Sequence, residues 1–357
     1  MTMKLLLHGI DTLQCAYYLK AQGHGLIDFT ALSIQREKLR RVKQRDPAPV
    51  KLGSLEFLLA PHGSALGFPF ILNNEDMRIE FGEYGSPNFL VTYRSQALWR
   101  DHATDLHQRF LDWAQSVGYV PYQDETISRA DLCFDYHLEE LDFDEDHFVT
   151  LASKDSQHRE NGKIQTFTFG KSDIVLRVYD KVAEIRQQSD KVWFFVLWGR
   201  DADVWRIEWQ LRKAILRRFD IRTLTDLMDQ QGDLLRYLAH EHTTLRRPSQ
   251  DTNRSRWPLH PLWVDLQAQI RDLNNLGVYR VDGAPFILKE RKARLAMSVY
   301  GYAKRFAAIH CLQKNLDWIS EPDAAQLMVE FMRTVHDPLT WKIDLERRIK
   351  AMELGQW

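Results

Sequence analysis

Three short stretches of the sequence alternate polar and apolar residues in the pattern of half-buried β-strands. Their polar faces carry, in turn, Arg129, Asp131, Cys133 and Asp135; Arg177, Tyr179 and Lys181; and Arg206, Glu208, Gln210 and Arg212. One strand of this kind is typical of an ordinary protein surface. Three strands with arginines and carboxylates along whole faces instead indicate a preformed electrostatic site. Glu184 follows Lys181 by three residues, so we expect a helix start to turn it toward the same face.

The side chains on these faces suit a reaction at a phosphodiester. The carboxylates are hard oxygen ligands of the kind that Mg²⁺ or Mn²⁺ prefers, and they are Asp131, Asp135, Glu184 and Glu208. Tyr179 is a candidate nucleophile, but a phenol with a pKa of about 10 needs a metal ion or a nearby cation for activation. Arginines can stabilise the extra negative charge of the transition state. The catalytic candidates are therefore Tyr179, Lys181, Arg177 and Arg206, with Tyr136 as the reserve nucleophile.

The charge distribution indicates a nucleic-acid partner. The chain has 48 basic and 49 acidic residues, and this near-neutral balance predicts no partner by itself. The basic residues nevertheless cluster in separate blocks, which suits a surface that binds phosphates. The DNA-binding candidates are Arg40, Arg41, Arg129, Arg212, Arg254, Arg256, Lys289, Arg291 and Lys292. The alternative, that each block is only a solvated helix face, stays open at this point.

Several classes of protein are excluded by composition and motifs. The 357 residues contain three scattered cysteines, which argue against a disulfide scaffold or a zinc knuckle and fit a reducing cytosol. The start of the chain has too short an apolar run for a signal peptide, and the longest apolar run, Val192 to Trp198, is far too short for a membrane helix. We therefore expect a cytoplasmic protein without a membrane partner. No Gly-x-x-x-x-Gly-Lys-Ser/Thr phosphate loop is present, so any DNA unwinding would need another protein.

The order of predicted strands and helices along the chain indicates how these side chains are positioned. It predicts an α+β fold with a mainly antiparallel sheet, helices on one face and a helical C-terminal region. Strands and an amphipathic helix, Ala97 to Ser116, make a first cycle, and Ser128 to His137 begins a second in which Asp144 to Ser153 reads as a helix. Ile10 to Tyr17 can be laid over Arg129 to Tyr136, which predicts two βαββ-like repeats.

These patterns predict a catalytic domain over residues 1–257, with halves at 1–120 and 121–257. A helical region over 258–357 would bind DNA or form oligomers. The linker candidate is Pro248 to Pro261, and Trp257 and Trp263 beside its arginines are candidates for stacking on bases.

The site residues also fall into the spacing of a known family. The motifs are Arg129-x-Asp131-x-x-x-Asp135, then Gly170-Lys171-Ser172 followed by Arg177-Val178-Tyr179-Asp180-Lys181-x-x-Glu184, then Arg206-x-Glu208-x-x-x-Arg212. With them the chain resembles the replication initiation factor (Rep_trans) family over roughly residues 80 to 260. That family includes rolling-circle plasmid initiators, replication proteins of some filamentous phages and relaxases of integrative conjugative elements.

The resemblance implies a metal-dependent, sequence-specific nick at a replication origin that leaves a 5′-phosphotyrosine and a 3′-OH primer. It implies Tyr179 as the nucleophile, with Asp131, Glu208 and Glu184 as metal ligands and Lys181 supporting charge. The implied partners are DNA (a duplex origin, a hairpin or a single-stranded nick site), a host helicase and polymerase, and a second copy of the chain.

Three other functions remain as alternatives. A conjugative relaxase would use the same chemistry. A noncatalytic DNA-binding regulator would not need the intact Tyr179, Lys181 and carboxylates. A tyrosine recombinase carries its nucleophile near the C-terminus of an all-helical domain, whereas the last tyrosine here is Tyr302.

Overall fold

The computed structural model describes residues 3–23, 26–41, 47–160, 162–189, 191–275, 284–336 and 338–353. The chain divides into two compact units, Met1–Val281 and Asp282–Trp357. Within the described ranges, no helix is both long and apolar enough to span a membrane.

The first unit is built on a large antiparallel sheet. In chain order the strands are β1 (Met3–Ala21), β2 (Ala48–Leu52), β3 (Leu55–Leu59), β4 (Phe70–Asn73), β5 (Met77–Phe81), β6 (Phe89–Tyr93), β7 (Tyr119–Leu138), β8 (Phe148–Thr150), β9 (Asp155–Glu160), β10 (Lys163–Phe169), β11 (Ile174–Asp180), β12 (Val204–Arg212) and β13 (Thr243–Leu245). Eleven of the strands in the described part of the chain form one sheet, in the order β2-β3-β4-β5-β6-β1-β7-β12-β11-β10-β9, and β8 pairs with β13. The predicted α+β class with a mainly antiparallel sheet is confirmed.

The sheet has the same strand order on both sides of its centre. The long strands β1 and β7 pair with each other in the middle. Outward from β1 come β6, β5, β4 and β3, and outward from β7 come β12, β11, β10 and β9. In each half the chain leaves the central strand, enters the sheet near its edge and works back to the centre. The predicted boundary between the halves 1–120 and 121–257 lies near the start of β7 at Tyr119, and the division into halves stays a prediction.

The helices of the first unit are α1 (Phe29–Arg41), α2 (Ser95–Arg100), α3 (Ala103–Ser116), α4 (Lys181–Glu184), α5 (Trp193–Trp198), α6 (Lys213–Arg218), α7 (Leu224–Tyr237) and α8 (Pro261–Arg271). Those of the second unit are α9 (Ala284–Lys314), α10 (Glu321–Val335) and α11 (Trp341–Glu353). In the second unit α9 packs on α10, where the rings of Phe306 and Phe331 lie 5.7 Å apart.

The main hydrophobic core lies on one face of the sheet. The apolar positions of β1, β7 and β12 join buried side chains of α3, α6, α7 and α8 there. Trp113 of α3, Trp209 of β12 and Trp263 of α8 are among its largest fully buried side chains. A smaller cluster on the opposite face contains Phe194 and Trp198 of α5. That second cluster covers one end of the polar face, as the contacts of the site show below.

The structure differs from the sequence prediction in three places. Residues 144–153 form a single 3₁₀ turn, Glu145–His147, and then strand β8, because Phe148 to Thr150 pair with Thr243 to Leu245. The predicted helix Ala97 to Ser116 is interrupted at Asp101 and His102, which both have extended backbone conformations. Residues 261–271, expected in the C-terminal region, form α8 and pack in the core of the first unit.

Candidate active site

The registers of β7, β12 and β11 bring the predicted polar faces together on one side of the sheet. Arg177 of β11 lies opposite Glu208 of β12. Tyr179 lies opposite Arg206, which in turn lies opposite Asp135 of β7. Directly opposed residues of antiparallel strands point to the same face. The alternation in the sequence therefore predicted this face correctly, and it is the face opposite the main core.

A tight turn before β11 sets the position of Tyr179. Gly170 ends β10 with a φ of +95°, and a Cβ atom there would collide with the carbonyl oxygen of Ile174. Only glycine fits this geometry without strain. The resulting hairpin pairs Thr166 with Tyr179 and Thr168 with Arg177. The motif glycine thus fixes the register that places the tyrosine.

Tyr179 is a buried side chain whose hydroxyl group contacts a carboxylate. Its relative exposure is 8%, and Oη donates a hydrogen bond of 3.0 Å to Glu208 Oε2. Burial and the neighbouring Glu208 raise the pKa of Tyr179 well above its ordinary value. Tyr179 therefore remains a phenol in the resting protein, and Glu208 is the group positioned to accept its proton.

Arg177 completes the arrangement around Glu208. Its Nη2 donates to Glu208 Oε1, so both carboxylate oxygens are engaged, one by the arginine and one by Tyr179. The Arg177 Nε atom is buried, and within the described residues it has no hydrogen-bond partner. A buried donor without a partner is costly unless a ligand satisfies it. Arg177 also lines the cavity beside the tyrosine, where its guanidinium group adds positive charge.

These side chains line a small cavity of about 150 Å³. Its walls include Arg177, Tyr179 and Glu184, together with His158 and Thr166 from β9 and β10. An apolar cavity of about this volume accommodates a molecule the size of benzene. The space therefore admits a small group such as a phosphate beside Tyr179.

A larger open cavity of about 780 Å³ lies beside β8. Its lining includes the carboxylates of Glu145, Asp146 and Asp155, and Arg254, which pairs with Asp146. It contains none of the residues of the polar face. We assign the active site to the smaller cavity because that cavity holds the candidate nucleophile.

Lys181 and Glu184 belong to the same pocket region. The Asp180 side chain accepts a hydrogen bond from the Ala183 backbone N–H and caps α4, which turns Glu184 back toward the tyrosine as expected. Lys181 is 2% exposed, bonds Glu184 Oε2 at 2.6 Å and lies 5.5 Å from the centre of the Tyr179 ring. Burial and Arg206 lower the pKa of Lys181. Lys181 thus adds a poorly solvated positive charge beside the nucleophile.

Arg206 and Asp135 have a different role from the predicted one. Arg206 is fully buried, and its Nε and Nη2 atoms donate to the two oxygens of Asp135 at 2.6 and 2.8 Å. Its Nη1 atom donates to Asp11 at 2.9 Å, and Trp198 donates to Asp135. With these donors and acceptors occupied and no exposed surface, Arg206 does not contact a phosphate and Asp135 does not ligate a metal ion. Their buried contacts instead stabilise the structure around the site.

Asp131 and Glu208 are the two remaining carboxylates of the polar faces of β7 and β12, and both also accept hydrogen bonds from arginines. They are diagonal neighbours on the same face, since Asp131 lies opposite Gln210. Burial and Glu208 raise the pKa of Asp131, although two hydrogen bonds from Arg129 oppose the shift. Among the described residues, no three His, Cys, Asp or Glu side chains group as a metal site. Mg²⁺ commonly uses one or two carboxylates and completes its shell with water and substrate phosphates.

The predicted basic residues lie on several different elements. Arg129 and Arg212 lie on the polar face, directly opposite each other. The others are at the end of α1 (Arg40 and Arg41, both paired with Glu37), in a 3₁₀ turn (Arg254 and Arg256) and on α9 (Lys292, exposed). Lys289 and Arg291 also lie on α9, and their side chains fall outside the described part of the structure.

Burial excludes two other candidates. Tyr136, the reserve nucleophile, is fully buried on the core face and donates a hydrogen bond to Asp265. Trp263 is also fully buried, and its Nε1 atom donates to the Ala239 carbonyl, so it does not stack on bases.

Comparison with solved structures finds a similarity to a rolling circle replication initiator protein from Geobacillus stearothermophilus. The TM-score is 0.43 and the sequence identity is 19%, over 76% of this chain and 98% of that chain. No model of a known protein family matches the chain, and no curated protein matches it.

Sequence reasoning missed several residues that shape the site. Asp11 lies at a bulge of β1, accepts bonds from Arg206, Ser95 and Trp99, and pairs with Lys191. Burial opposes ionisation of Asp11, but these cations lower its pKa. Asp11 lies within the segment Ile10 to Tyr17 that the sequence analysis aligned with β7. A carboxylate in a largely apolar strand was the feature that could have identified it.

Proposed function

We propose that the protein is a replication initiator that nicks and rejoins one DNA strand through Tyr179. The observation that carries the proposal is the hydrogen bond from the Tyr179 hydroxyl to Glu208, at the wall of a pocket that Arg177 also lines. A buried phenol needs a proton acceptor and nearby positive charge to attack phosphorus. Glu208 supplies the acceptor, and Arg177 and Lys181 supply the charge.

In the proposed reaction the phenol proton passes to Glu208 as the Tyr179 oxygen bonds to phosphorus. The bond between phosphorus and the 3′ oxygen breaks, and that oxygen takes a proton from a water molecule, which leaves a 3′-OH primer and a 5′-phosphotyrosine. Arg177, which lines the cavity, would hold a nonbridging oxygen. Rejoining is the reverse reaction, in which the 3′-OH gives its proton to water and attacks phosphorus, the bond from phosphorus to the Tyr179 oxygen breaks, and the proton on Glu208 returns to that oxygen.

We propose Asp131 and Glu208 as the ligands of a Mg²⁺ or Mn²⁺ ion, which would polarise the phosphate when bound. Glu184 is kept as a weaker candidate because it pairs with Lys181. Titration of Mn²⁺ into the full chain carrying Tyr179→Phe should show binding calorimetrically. Asp131→Asn in that background should abolish it, whereas Glu145→Gln, a carboxylate change outside the site, should not. Unaltered binding by the Asp131 variant would remove this residue from the ligand set.

The test of the function is a nicking assay on supercoiled plasmid that carries the origin of the chain's own replicon. We expect open-circular product, a protein covalently attached to the 5′ end and a free 3′-OH that a polymerase extends. The same assay with a transfer origin distinguishes a conjugative relaxase, which would cleave that DNA in preference. Binding of the origin without any nick would favour the noncatalytic regulator.

A further inference from the structure

The first half of the sheet carries a counterpart of the active site that lacks the catalytic groups. In the second half, Arg177 lies opposite Glu208 on β11 and β12. At the equivalent place in the first half, Arg78 of β5 lies opposite Thr92 of β6. Two residues after Arg78, where β11 has Tyr179, β5 has Glu80. The arginine is thus kept, while the nucleophile and the carboxylate opposite the arginine are replaced.

This counterpart continues into the active-site face without a break. Arg78 lies opposite Thr92, Thr92 opposite Gln14, Gln14 opposite Arg129, and Arg129 opposite Arg212. One register therefore runs across five adjacent strands, β5-β6-β1-β7-β12, on the side that carries the site. Strands lie about 4.8 Å apart, so the row spans about 19 Å. All five side chains are at least partly exposed.

The arginines of this row are held in a way that leaves donors for a ligand. Arg78 donates through Nε to Glu80 at 2.9 Å, and Glu80 is itself buried. Arg129 donates in the same way, through Nε, to Asp131 at 2.8 Å. A guanidinium group carries five N–H donors, so a carboxylate on one edge orients the group and leaves other donors available. Between the arginines, Gln14 donates to Thr92 at 3.0 Å and offers an amide oxygen.

We propose that the row Arg78–Thr92–Gln14–Arg129–Arg212 is the binding track for a single DNA strand. The first half of the sheet would then be a site that binds the strand without cutting it. This inference rests on the proposed function, because it takes the strand held at Tyr179 to continue across the sheet. Arginines would contact phosphates, and the amide and hydroxyl groups between them would contact sugars or bases.

The cavity favours a single strand over a duplex as the occupant. Tyr179 is only 8% exposed and lines a cavity of about 150 Å³, so a phosphate must enter this cavity to reach its hydroxyl group. A strand freed from its complement can bend into the cavity, whereas a stiff duplex cannot. A flat sheet face about 19 Å wide then provides a surface on which the neighbouring nucleotides can lie.

The test is binding of fluorescein-labelled oligothymidylate, about 20 nucleotides long, to the full chain carrying Tyr179→Phe. Arg78→Gln in this background should weaken binding about tenfold. The slope of log K against log salt should become shallower by about 0.7, the value for one phosphate contact on a single strand. The matched control is Arg222→Gln, since Arg222 is also exposed and also donates through Nε to a carboxylate, Asp220, at 2.9 Å. The control should match the parent protein in both measurements.

A second variant keeps the proposal testable if the Arg78→Gln protein misfolds. Gln14→Glu keeps the side chain's size and places a negative charge in the middle of the row, so it should also weaken binding. Parent-like affinity and slope for both Arg78→Gln and Gln14→Glu would overturn the proposed track. Oligothymidylate binding needs no cleavage, so it is read independently of nicking by the unmodified chain. If the unmodified chain does not nick its origin but both variants lose oligothymidylate binding, the proposed function is refuted and the proposed binding track is kept.

Discussion

The Tyr179 hydroxyl group and Glu208 Oε2 are joined by a 3.0 Å hydrogen bond between adjacent strands, with the other oxygen of Glu208 bound to Arg177. One carboxylate thus connects the candidate nucleophile to the candidate phosphate-binding arginine. Any change at Glu208 would alter both, which makes variants at the two ends of this contact more informative than variants at Glu208 itself.

Removing the phenol oxygen at two tyrosines separates chemistry from packing. Tyr179→Phe should keep the fold and DNA binding but lose the covalent protein–DNA product, because only the attacking atom is removed. Tyr136→Phe is the matched control on the core face, where the lost bond to Asp265 should cost about 1 kcal/mol of unfolding free energy. The control should still form the covalent product in a denaturing gel. Adduct formation by Tyr179→Phe would contradict the assignment.

Two arginines on neighbouring strands should respond in opposite ways. Arg206→Met leaves Asp11 and Asp135 buried without their main partner, so it should reduce the unfolding free energy by about 3–5 kcal/mol. Arg177→Gln removes a partly exposed side chain, so it should reduce nicking strongly with a much smaller effect on stability. Urea unfolding and nicking rates on the same preparations check both statements. A stable, well-folded Arg206→Met would show that the buried cluster is not essential to the fold.

Asp131→Asn should stabilise the protein near neutral pH while it abolishes nicking. The native pKa of Asp131 is raised, chiefly by burial, so the folded state binds this proton more tightly than the unfolded state does. Its contribution is present below the unfolded pKa of about 3.9 and is lost as pH rises through the native pKa. An asparagine at position 131 does not ionise, so the variant does not lose this stability as the pH rises.

Unfolding free energies at about pH 4 and about pH 8 check the sign of this effect. The gain of the Asp131→Asn variant over the parent should be larger at the higher pH. A variant that is less stable than the parent at both pH values would show that the pairing with Arg129 outweighs the cost of burial.

The active-site face was predictable because strand alternation is local. Arg177, Tyr179 and Glu208 fall on one face once each strand is recognised, and the Gly170 turn fixes their register. The contact between Arg206 and Asp11 spans 195 residues and was beyond local patterns. The sequence also predicted a helix at residues 148–150. These residues form a strand because they pair with residues 243–245, which are distant in the sequence.

The boundary between the two units allows the location of origin recognition to be tested with shortened chains. A chain ending at Pro261 would lack α8 and leave the pocket of Trp263 unfilled in the core. A chain ending at Val281 keeps α8 and should still cleave single-stranded DNA. We propose that the second unit recognises the origin, so this shorter chain should lose tight origin binding and its steep salt dependence. Equal origin affinities for the shorter and full chains would place recognition in the first unit.

The most direct test of the account is to locate the covalent bond. The full chain is incubated with plasmid bearing its own origin, the protein–DNA product is isolated and digested, and the modified peptide is sequenced by mass spectrometry. We predict a nucleotide on Tyr179, within the stretch Val178-Tyr179-Asp180-Lys181. A nucleotide on any other residue, or nicked DNA without a protein adduct, would contradict the central claim.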